Sequence, residues 1–315
     1  MISLSQRLEQ YLAIRRCFGF DLQFSERVLR KFTAFADARN DCHITADLFL
    51  AWKDAYGSAN NDTWAARLGM VRGFARWLAE HDEVTHVPPT GLIPARKYSR
   101  QTPYIYTVEE IASLVAAAAT LPSIYGLRPV VWQTVFGLVA VTGLRISEAL
   151  RLDQEHVDLK RGLLQITKSK NGSGRFIPIH ESTVDRLHCY ATARDRVLGQ
   201  TKGRFFLKED GTPAGDCGAR YNFAEVSRMA GLRCPQLYHR HGSGPRIHDL
   251  RHTFAVRTIL RWFHEGWEID REMYKLSAYL GHVRPELTYW YIEAVPELMQ
   301  LAADRAERRY REDAS

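Results

Sequence analysis

The sequence predicts a mainly α-helical protein with one small β-hairpin, divided into two domains that a basic linker joins. Apolar residues recur at the three- and four-residue spacing of helices through most of residues 1–95 and of residues 107–315. Two short apolar runs, residues 162–167 and 175–179, flank a glycine-rich turn and predict the hairpin. Prolines at 88, 89 and 94, followed by basic residues, mark the linker, which is placed at 96–106. We therefore expect a small all-α domain followed by a larger domain that mixes helices with a small sheet.

Four helices account for the N-terminal domain. Thr45 is suited to cap the third helix, and Thr63 opens the fourth. On the fourth helix, Arg72 and Arg76 lie four residues apart, either as phosphate contacts along a DNA groove or as a solvated helix edge. The predicted helices cover Leu4–Cys17, Phe24–Ala38, the stretch from Thr45 to Tyr56 and the stretch from Thr63 to Leu78.

The linker carries several positive charges. Arg96, Lys97 and Arg100 follow a pair of prolines, Pro88 and Pro89. An extended segment with this charge is suited to cross a DNA backbone. A linker whose charges serve only solubility is equally compatible with the sequence.

Composition limits the class of protein. The chain of 315 residues has a formal net charge of +7, which is compatible with nucleic-acid binding but does not require it. The longest apolar stretch, Val130–Val141, is interrupted by polar residues and glycine, so it predicts a buried helix and no membrane span. Five widely spaced cysteines without a Cys-x-x-Cys pair indicate neither a disulfide framework nor a zinc ribbon. We expect a reduced, cytoplasmic protein.

The C-terminal domain begins with a well-marked helix, because Thr107 and Glu110 form a capping box. A second helix, over about residues 129–141, breaks at Thr142-Gly143 and restarts at residues 144–152. Further helices are predicted at about residues 181–198, 216–230, 249–264 and 270–280, and then within 285–311, where a terminal amphipathic helix ends the domain.

The stretch Arg246–Ala255 concentrates strong hydrogen-bond donors at the start of a predicted helix, which Asp249 can cap. His248 and Arg251 are three residues apart, so their side chains share one helix face and can reach one anion together. An arginine fork beside an imidazole suits a phosphate, because the fork grips two oxygens while the imidazole donates or relays a proton. Alone, this pattern is more typical of a solvated basic helix end.

Two other blocks accompany this stretch. Residues 142–148 read Thr-Gly-Leu-Arg-Ile-Ser-Glu, and Leu280-Gly281-His282 lies downstream, followed by Tyr291. In this order the three blocks resemble the tyrosine recombinases, the superfamily of phage integrases and Xer-like proteins. The resemblance covers about the last two thirds of the chain, and the combination is far more specific than any single block. The N-terminal helices resemble the core-binding domain of the same family.

The resemblance implies a set of phosphate-binding residues. Arg145 and Arg251 would clamp the nonbridging oxygens of a scissile phosphate, and Glu148 would pair with Arg145 or support the site. His248 would donate to the phosphate or assist proton transfer. His282, in the Leu-Gly-His block, would hydrogen-bond the phosphate.

The comparison with the family also concerns a lysine and a third histidine. The family places its catalytic lysine on a β-hairpin, and counting back from Arg175 matches it to Lys170. Lys168, two residues away, would exchange roles with Lys170 after a shift of register, and is otherwise a candidate DNA contact. His252 is the competing histidine of the site, but its position after the arginine matches no catalytic residue of the family.

The nucleophile implied by the resemblance is Tyr291. It stands nine residues beyond His282, and Thr288 stands three residues before it, as in the family pattern. Tyr289, two residues earlier, is the alternative. Because a phenol has an ordinary pKa of about 10, it needs cationic neighbours or a base in order to attack phosphorus.

These features together predict a site-specific DNA recombinase that acts through a 3′-phosphotyrosine intermediate and serves the integration, excision or transposition of a mobile element. The resemblance implies double-stranded recombination sites as partners, with four protomers on the DNA, alone or with related recombinases. Neither a His-Glu-x-x-His pattern nor a P-loop occurs, so we expect no metal and no cofactor. Two alternatives remain: a monomeric type IB topoisomerase that uses the same residues, and a DNA-binding accessory protein with a decayed site.

Overall fold

The computed structural model describes residues 2–94, 101–167, 174–234 and 244–313. Within these ranges the protein is mainly helical with one three-stranded antiparallel sheet, which confirms the predicted fold class. Two compact units are present, residues 1–100 and 101–315. In the described ranges, every helix lacks the length or the apolar character that a membrane crossing requires.

Over residues 2–94, the N-terminal unit has four helices: α1 (Leu4–Cys17), α2 (Gln23–Ala38), α3 (Ala46–Ala55) and α4 (Asn61–Ala79). Aromatic rings form its core, where buried Trp52 contacts both Phe32 and Trp64 edge-to-face. Thr45 caps α3 as predicted. The fourth helix begins earlier than predicted, because Asn60 and not Thr63 is its cap: the Asn60 side chain accepts a hydrogen bond of 2.8 Å from the Thr63 amide.

The basic residues proposed as DNA contacts differ in their surroundings. Arg76 is exposed on α4, whereas the guanidinium of Arg72 donates to the backbone carbonyl of Pro88. Arg96, Lys97 and Arg100 lie outside the described residues. DNA contact by these five residues, and the placement of a linker at 96–106, stay predictions.

The C-terminal unit carries nine helices within the described ranges and a small sheet. The helices are α5 (Val108–Ala119), α6 (Leu127–Thr142), α7 (Ile146–Leu150), α8 (Glu181–Leu198), α9 (Asp216–Met229), α10 (Ile247–His264), α11 (Ile269–Leu280), α12 (Glu286–Ala294) and α13 (Pro296–Asp313). The strands are β1 (Val157–Asp158), β2 (Leu163–Ile166) and β3 (Arg175–Pro178).

The sheet contains the predicted hairpin, β2 and β3, in which the buried residues Leu164 and Ile177 face each other. The two-residue strand β1 pairs with the other edge of β2 and was not predicted. The connection between β2 and β3 includes Lys168 and Lys170, and residues 168–173 lie outside the described part of the chain.

Helix α6 is the centre of the C-terminal unit, because it packs against α5, α8 and α10 and buries residues on most of its surface. Helix α10 contributes to two apolar clusters. Its first turn, at Ile247 and Leu250, packs in the cluster around α6. Its residues from Ala255 onward pack in a second cluster with Leu280, Tyr291 and Leu298 from the last three helices.

Two helix boundaries bear on the predictions. Helix α10 begins at Ile247 after an Arg246 cap, and Asp249 supports this start from the third helical position, where its carboxylate accepts from the Arg246 amide at 2.7 Å. The last stretch of the chain contains the predicted terminal helix as α13, which Pro296 opens, and a separate helix before it, α12, which ends at Ala294.

Candidate active site

The turn that ends α6 places the first arginine of the site. Gly143 adopts a left-handed φ of 62°, and a Cβ at this position would lie 2.5 Å from Cδ1 of Phe254. Glycine is therefore required both by the backbone conformation and by the close approach of α10. The chain then turns into α7, with Arg145 as the residue that precedes its first helical residue.

We expect Gly143→Ala to destabilise the protein by about 1–3 kcal/mol, because the change adds backbone strain and a steric overlap with Phe254. The melting temperature should fall by several degrees, at about 2–4 °C per kcal/mol for a unit of this size. Gly137→Ala is the matched control, since it lies in the middle of α6 and no described atom lies within 4 Å of its added Cβ. That variant should be stabilised by about 0.5–1 kcal/mol, and a loss of stability equal to that of Gly143→Ala would contradict this account of the turn.

Glu148 is the anion around which the arginines of the site gather. Its carboxylate accepts hydrogen bonds from Nη1 of Arg145 at 2.9 Å and from Nη1 and Nη2 of Arg175 at 3.1 and 2.9 Å. Burial would raise the pKa of Glu148, but hydrogen bonds and charge from Arg175, followed by those from Arg145, outweigh burial and lower the pKa below its ordinary value. Glu148 is therefore ionised at neutral pH and fixes both arginine side chains.

Arg251 is the most deeply buried arginine of the site, with 1% of its surface exposed. Its guanidinium donates to the carbonyl of Gly143 at 2.8 Å and to that of Leu280 at 2.6 Å, and lies 4.0 Å from the Glu148 carboxylate. Burial and then the charge of Arg145 lower the pKa of Arg251 to about 10, so it keeps its charge at neutral pH. Three cations thus surround one carboxylate, and this excess of positive charge is suited to bind a further anion.

The two histidines of the predicted site lie at helix ends. His248 is exposed in the first turn of α10, and burial of part of the ring together with the charge of Arg251 lowers its pKa to about 4, so the ring is neutral at pH 7. His282 follows Gly281, which ends α11 with a φ of 65°. The Nδ1 atom of His282 lies 2.7 Å from Oγ1 of the buried Thr288, which orients the ring.

Gly281 joins this corner to the arginines. Its carbonyl accepts from Nη2 of Arg145 at 3.2 Å, and a Cβ here would lie 2.7 Å from Nη1 of Arg175. Arg175 also donates from Nε to the carbonyl of Tyr279 at 2.6 Å. The end of α11, the start of α7 and strand β3 are thereby tied together.

Two tyrosines two residues apart on α12 have different surroundings. Tyr291 is 1% exposed, and its hydroxyl lies 2.9 Å from Nδ1 of His252. Tyr289 instead donates to the carboxylate of Asp270 at 3.1 Å. Partial burial and this carboxylate raise the pKa of Tyr289 to about 12, so its phenol is less easily ionised than an ordinary tyrosine. The hydroxyl of Tyr291 therefore contacts α10, whereas that of Tyr289 contacts α11.

The structure thus brings Arg145, Glu148, Arg251, His282 and Tyr291 to one corner where α7, α10, α11 and α12 meet, with His248 at its exposed edge. The catalytic roles of these residues stay predictions at this point.

Two residues of the corner were missed by sequence reasoning. Arg175 served only to mark the start of a strand, although a charged residue at the start of an otherwise apolar strand is itself a signal of a buried partner. His252 was set aside, and it lies directly against the Tyr291 hydroxyl. In both cases the partner is distant in the sequence.

Comparison with known proteins identifies the family. Residues 105–297 match the phage integrase family. The y4rB protein of Sinorhizobium fredii, whose name places it among integrases and recombinases, is 38% identical over 98% of this chain and 99% of its own. Among solved structures, the integrase of transposon Tn1549 in complex with DNA of the transposon right end is similar at a TM-score of 0.62 and 14% identity, over 98% of this chain and 99% of that chain. A lambda integrase tetramer bound to a Holliday junction is similar at a TM-score of 0.58 and 17% identity, over 92% of this chain and 77% of that chain.

Proposed function

The chain belongs to the phage integrase family of tyrosine recombinases, and we propose that Tyr291 is the residue with which it cuts and rejoins DNA. As a member of this family it is a tyrosine-type site-specific recombinase that acts on DNA. The observation that carries the assignment of Tyr291 is its contact with α10, the helix that also bears His248 and Arg251. A phosphate held by these side chains would lie close to the phenol.

In the proposed cleavage step, Oη of Tyr291 attacks phosphorus and the bond from phosphorus to the 5′ oxygen breaks. The products are a 3′-phosphotyrosyl link and a strand with a free 5′ hydroxyl. Arg145 and Arg251 stabilise the charge on the nonbridging oxygens, which is usually the largest contribution to such catalysis. His248 and His282 donate hydrogen bonds to the same phosphate. Attack by a 5′ hydroxyl from another duplex reverses the step and joins the exchanged strands.

Glu148 has a positioning role in this proposal. Its ionised carboxylate lies between Arg145 and Arg175 and holds both guanidinium planes in fixed directions. Arg175 in turn anchors the start of β3, next to the connection that carries Lys170. Fixed donors cost no reorganisation when charge develops on the phosphate, which is the advantage of a preorganised site.

The proposed biological setting is a mobile element, with four protomers on paired DNA sites. The similarity of fold to a transposon integrase bound to transposon-end DNA supports the role in a mobile element. The similarity of fold to a lambda integrase tetramer on a Holliday junction supports the assembly of four protomers. Two duplexes have four strands, and each strand is cut by the tyrosine of one subunit, so a tetramer is the assembly that the reaction calls for.

Strand exchange between two duplexes separates this function from DNA relaxation. The substrate is a pair of linear duplexes that carry the element's end sequences, and a supercoiled plasmid with the same ends serves as the second substrate. We expect joint molecules from the linear pair, at protein concentrations that saturate both sites. Relaxation of the plasmid without any joint molecule would instead assign the chain a topoisomerase activity, and the absence of both would indicate an accessory DNA-binding role.

We expect Lys170→Ala to cripple cleavage of ordinary DNA, because the departing 5′ oxygen then lacks its proton donor. In a substrate with a bridging 5′-phosphorothiolate, the cleaved strand leaves as a thiolate, which needs no proton. This substrate should therefore restore most of the cleavage rate of Lys170→Ala. Cleavage of both substrates is followed on denaturing gels, with Lys168→Ala as the control. If sulfur rescues Lys168→Ala and leaves Lys170→Ala inactive, the two lysines exchange roles.

A further inference from the structure

His252 lies in the same turn of α10 as Arg251 but faces a different neighbour. Successive residues of a helix point about 100° apart, and here Arg251 reaches the carbonyls of Gly143 and Leu280 while His252 reaches α12. Nδ1 of His252 lies 2.9 Å from the Tyr291 hydroxyl, and 6% of the histidine surface is exposed. One turn of helix thus presents a cation for the phosphate and an imidazole for the attacking oxygen.

The imidazole of His252 is held in place by rings. The ring of His248 packs against it edge-to-face with centroids 4.5 Å apart, and the rings of Trp290 and Tyr291 lie at 5.7 and 5.5 Å. A histidine packed in this way has little rotamer freedom. Its Nδ1 atom is therefore preorganised toward the phenol.

A neutral imidazole carries its proton on one ring nitrogen and accepts at the other. In the tautomer with the proton on Nε2, Nδ1 of His252 accepts a hydrogen bond from the Tyr291 hydroxyl. Once Oη begins to bond to phosphorus, the phenolic proton becomes far more acidic and must leave, and an acceptor already in hydrogen-bond contact can take it within the same step.

We propose that His252 is a catalytic residue that accepts the phenolic proton of Tyr291 as this oxygen attacks the DNA phosphate. The proposal rests on Tyr291 as the nucleophile. As the bond between Oη and phosphorus forms, the proton passes to Nδ1 of His252. The bond from phosphorus to the 5′ oxygen breaks, and its electron pair leaves on that oxygen, which takes a proton from Lys170. In the rejoining step His252 returns its proton to the departing Tyr291.

The other polar residues of the corner have different partners. Nδ1 of His282 lies beside Thr288, and the carboxylate of Glu148 is occupied by arginines. His248 stands at the exposed edge, where a phosphate would arrive. The contact with the reacting oxygen therefore favours His252 as the acceptor.

The test measures single-turnover formation of the covalent adduct on a nicked suicide duplex at saturating protein. His252→Asn keeps an acceptor atom near the position of Nδ1 but cannot take a proton, and His252→Gln removes that acceptor. Both should bind DNA as the wild type does, while the adduct forms about 10²–10⁴-fold more slowly. Both should remain folded at the assay temperature, and His252→Gln should melt lower than His252→Asn, because the buried Tyr291 hydroxyl then loses its partner. His264→Asn, an exposed histidine at the other end of α10, is the matched control and should retain the wild-type rate.

One change of the substrate and one change of the Tyr291 side chain show whether His252 accepts a proton or only packs against its neighbours. The 5′-phosphorothiolate should rescue Lys170→Ala but not His252→Asn, because the phenolic proton must still leave. Incorporation of a fluorotyrosine at position 291 lowers the phenol pKa, and should shrink the His252→Asn defect by about tenfold or more. An unaltered rate in His252→Asn, or a defect that the fluorotyrosine leaves unchanged, overturns the proposal. Failure of the wild type itself to form an adduct would instead overturn the assignment of Tyr291.

Discussion

Replacing Tyr291 with phenylalanine should abolish covalent protein–DNA adducts and leave DNA binding nearly intact. The change removes a single oxygen atom, which is the proposed nucleophile, and the buried ring keeps its packing in the cluster of the last three helices. Loss of the contact with His252 leaves a buried nitrogen without this partner, at a cost of about 1–3 kcal/mol in stability. Adducts are detected on denaturing gels after incubation with a nicked suicide duplex.

Tyr289→Phe is the control for this experiment. Its hydroxyl donates to Asp270, on α11, and the variant should form adducts at close to the wild-type rate. Adducts in Tyr291→Phe together with their loss in Tyr289→Phe would reverse the assignment.

The second large effect concerns Arg251. We expect Arg251→Ala to reduce the rate of cleavage by about 10²-fold or more, because a fixed cation at the developing charge is lost. Arg251→Lys should recover little of this rate, since a point charge cannot donate to the carbonyls of Gly143 and Leu280 and still present a fork to the phosphate. Single-turnover cleavage at saturating protein gives the chemical step free of binding effects.

Stability must be measured beside this rate, because Arg251 is buried next to Glu148. Glu148 keeps its hydrogen bonds to Arg145 and Arg175, but the carbonyls of Gly143 and Leu280 lose a donor, at a cost of about 1–3 kcal/mol each. Arg251→Ala should therefore also melt at a lower temperature. Arg145→Ala is a second test of the phosphate clamp with a smaller folding cost, because this side chain is about one third exposed. Arg261→Ala, exposed on the same helix as Arg251, is the control. Wild-type cleavage in a folded Arg251→Ala protein would remove the clamp.

Much of the fold follows from local patterns. The capping box at Thr107 and Glu110 forms as predicted, with the Glu110 carboxylate accepting from the Thr107 amide at 2.8 Å. The break at Gly143 also follows, since only a residue that tolerates a left-handed φ ends α6 at this point. The start of α4 was wrong because Asn60 and Thr63 are both good caps and local sequence does not rank them. The strand β1 was missed because two residues are too few to show the alternation of apolar and polar side chains that predicts a strand.

Some residues of the candidate site were likewise predicted from the sequence, and others were not. The resemblance of its sequence blocks to the tyrosine recombinases predicts Arg145, Arg251 and Tyr291, and the structure brings these residues to one corner. The bidentate pair between Arg175 and Glu148 and the contact between His252 and Tyr291 join residues 27 and 39 positions apart. Such pairs depend on how helices and strands pack, and no local spacing encodes them.

The identity of the residue that becomes bonded to DNA tests the account most directly. Wild-type protein is trapped on a nicked suicide duplex, digested with protease and nuclease, and the modified peptide is sequenced by mass spectrometry. We predict a single modified residue, Tyr291, whose hydroxyl oxygen is bonded to the 3′ phosphate of a nucleotide from the cleaved strand. Attachment to Tyr289 or to any other residue, or through a 5′ phosphate, would contradict the proposed site.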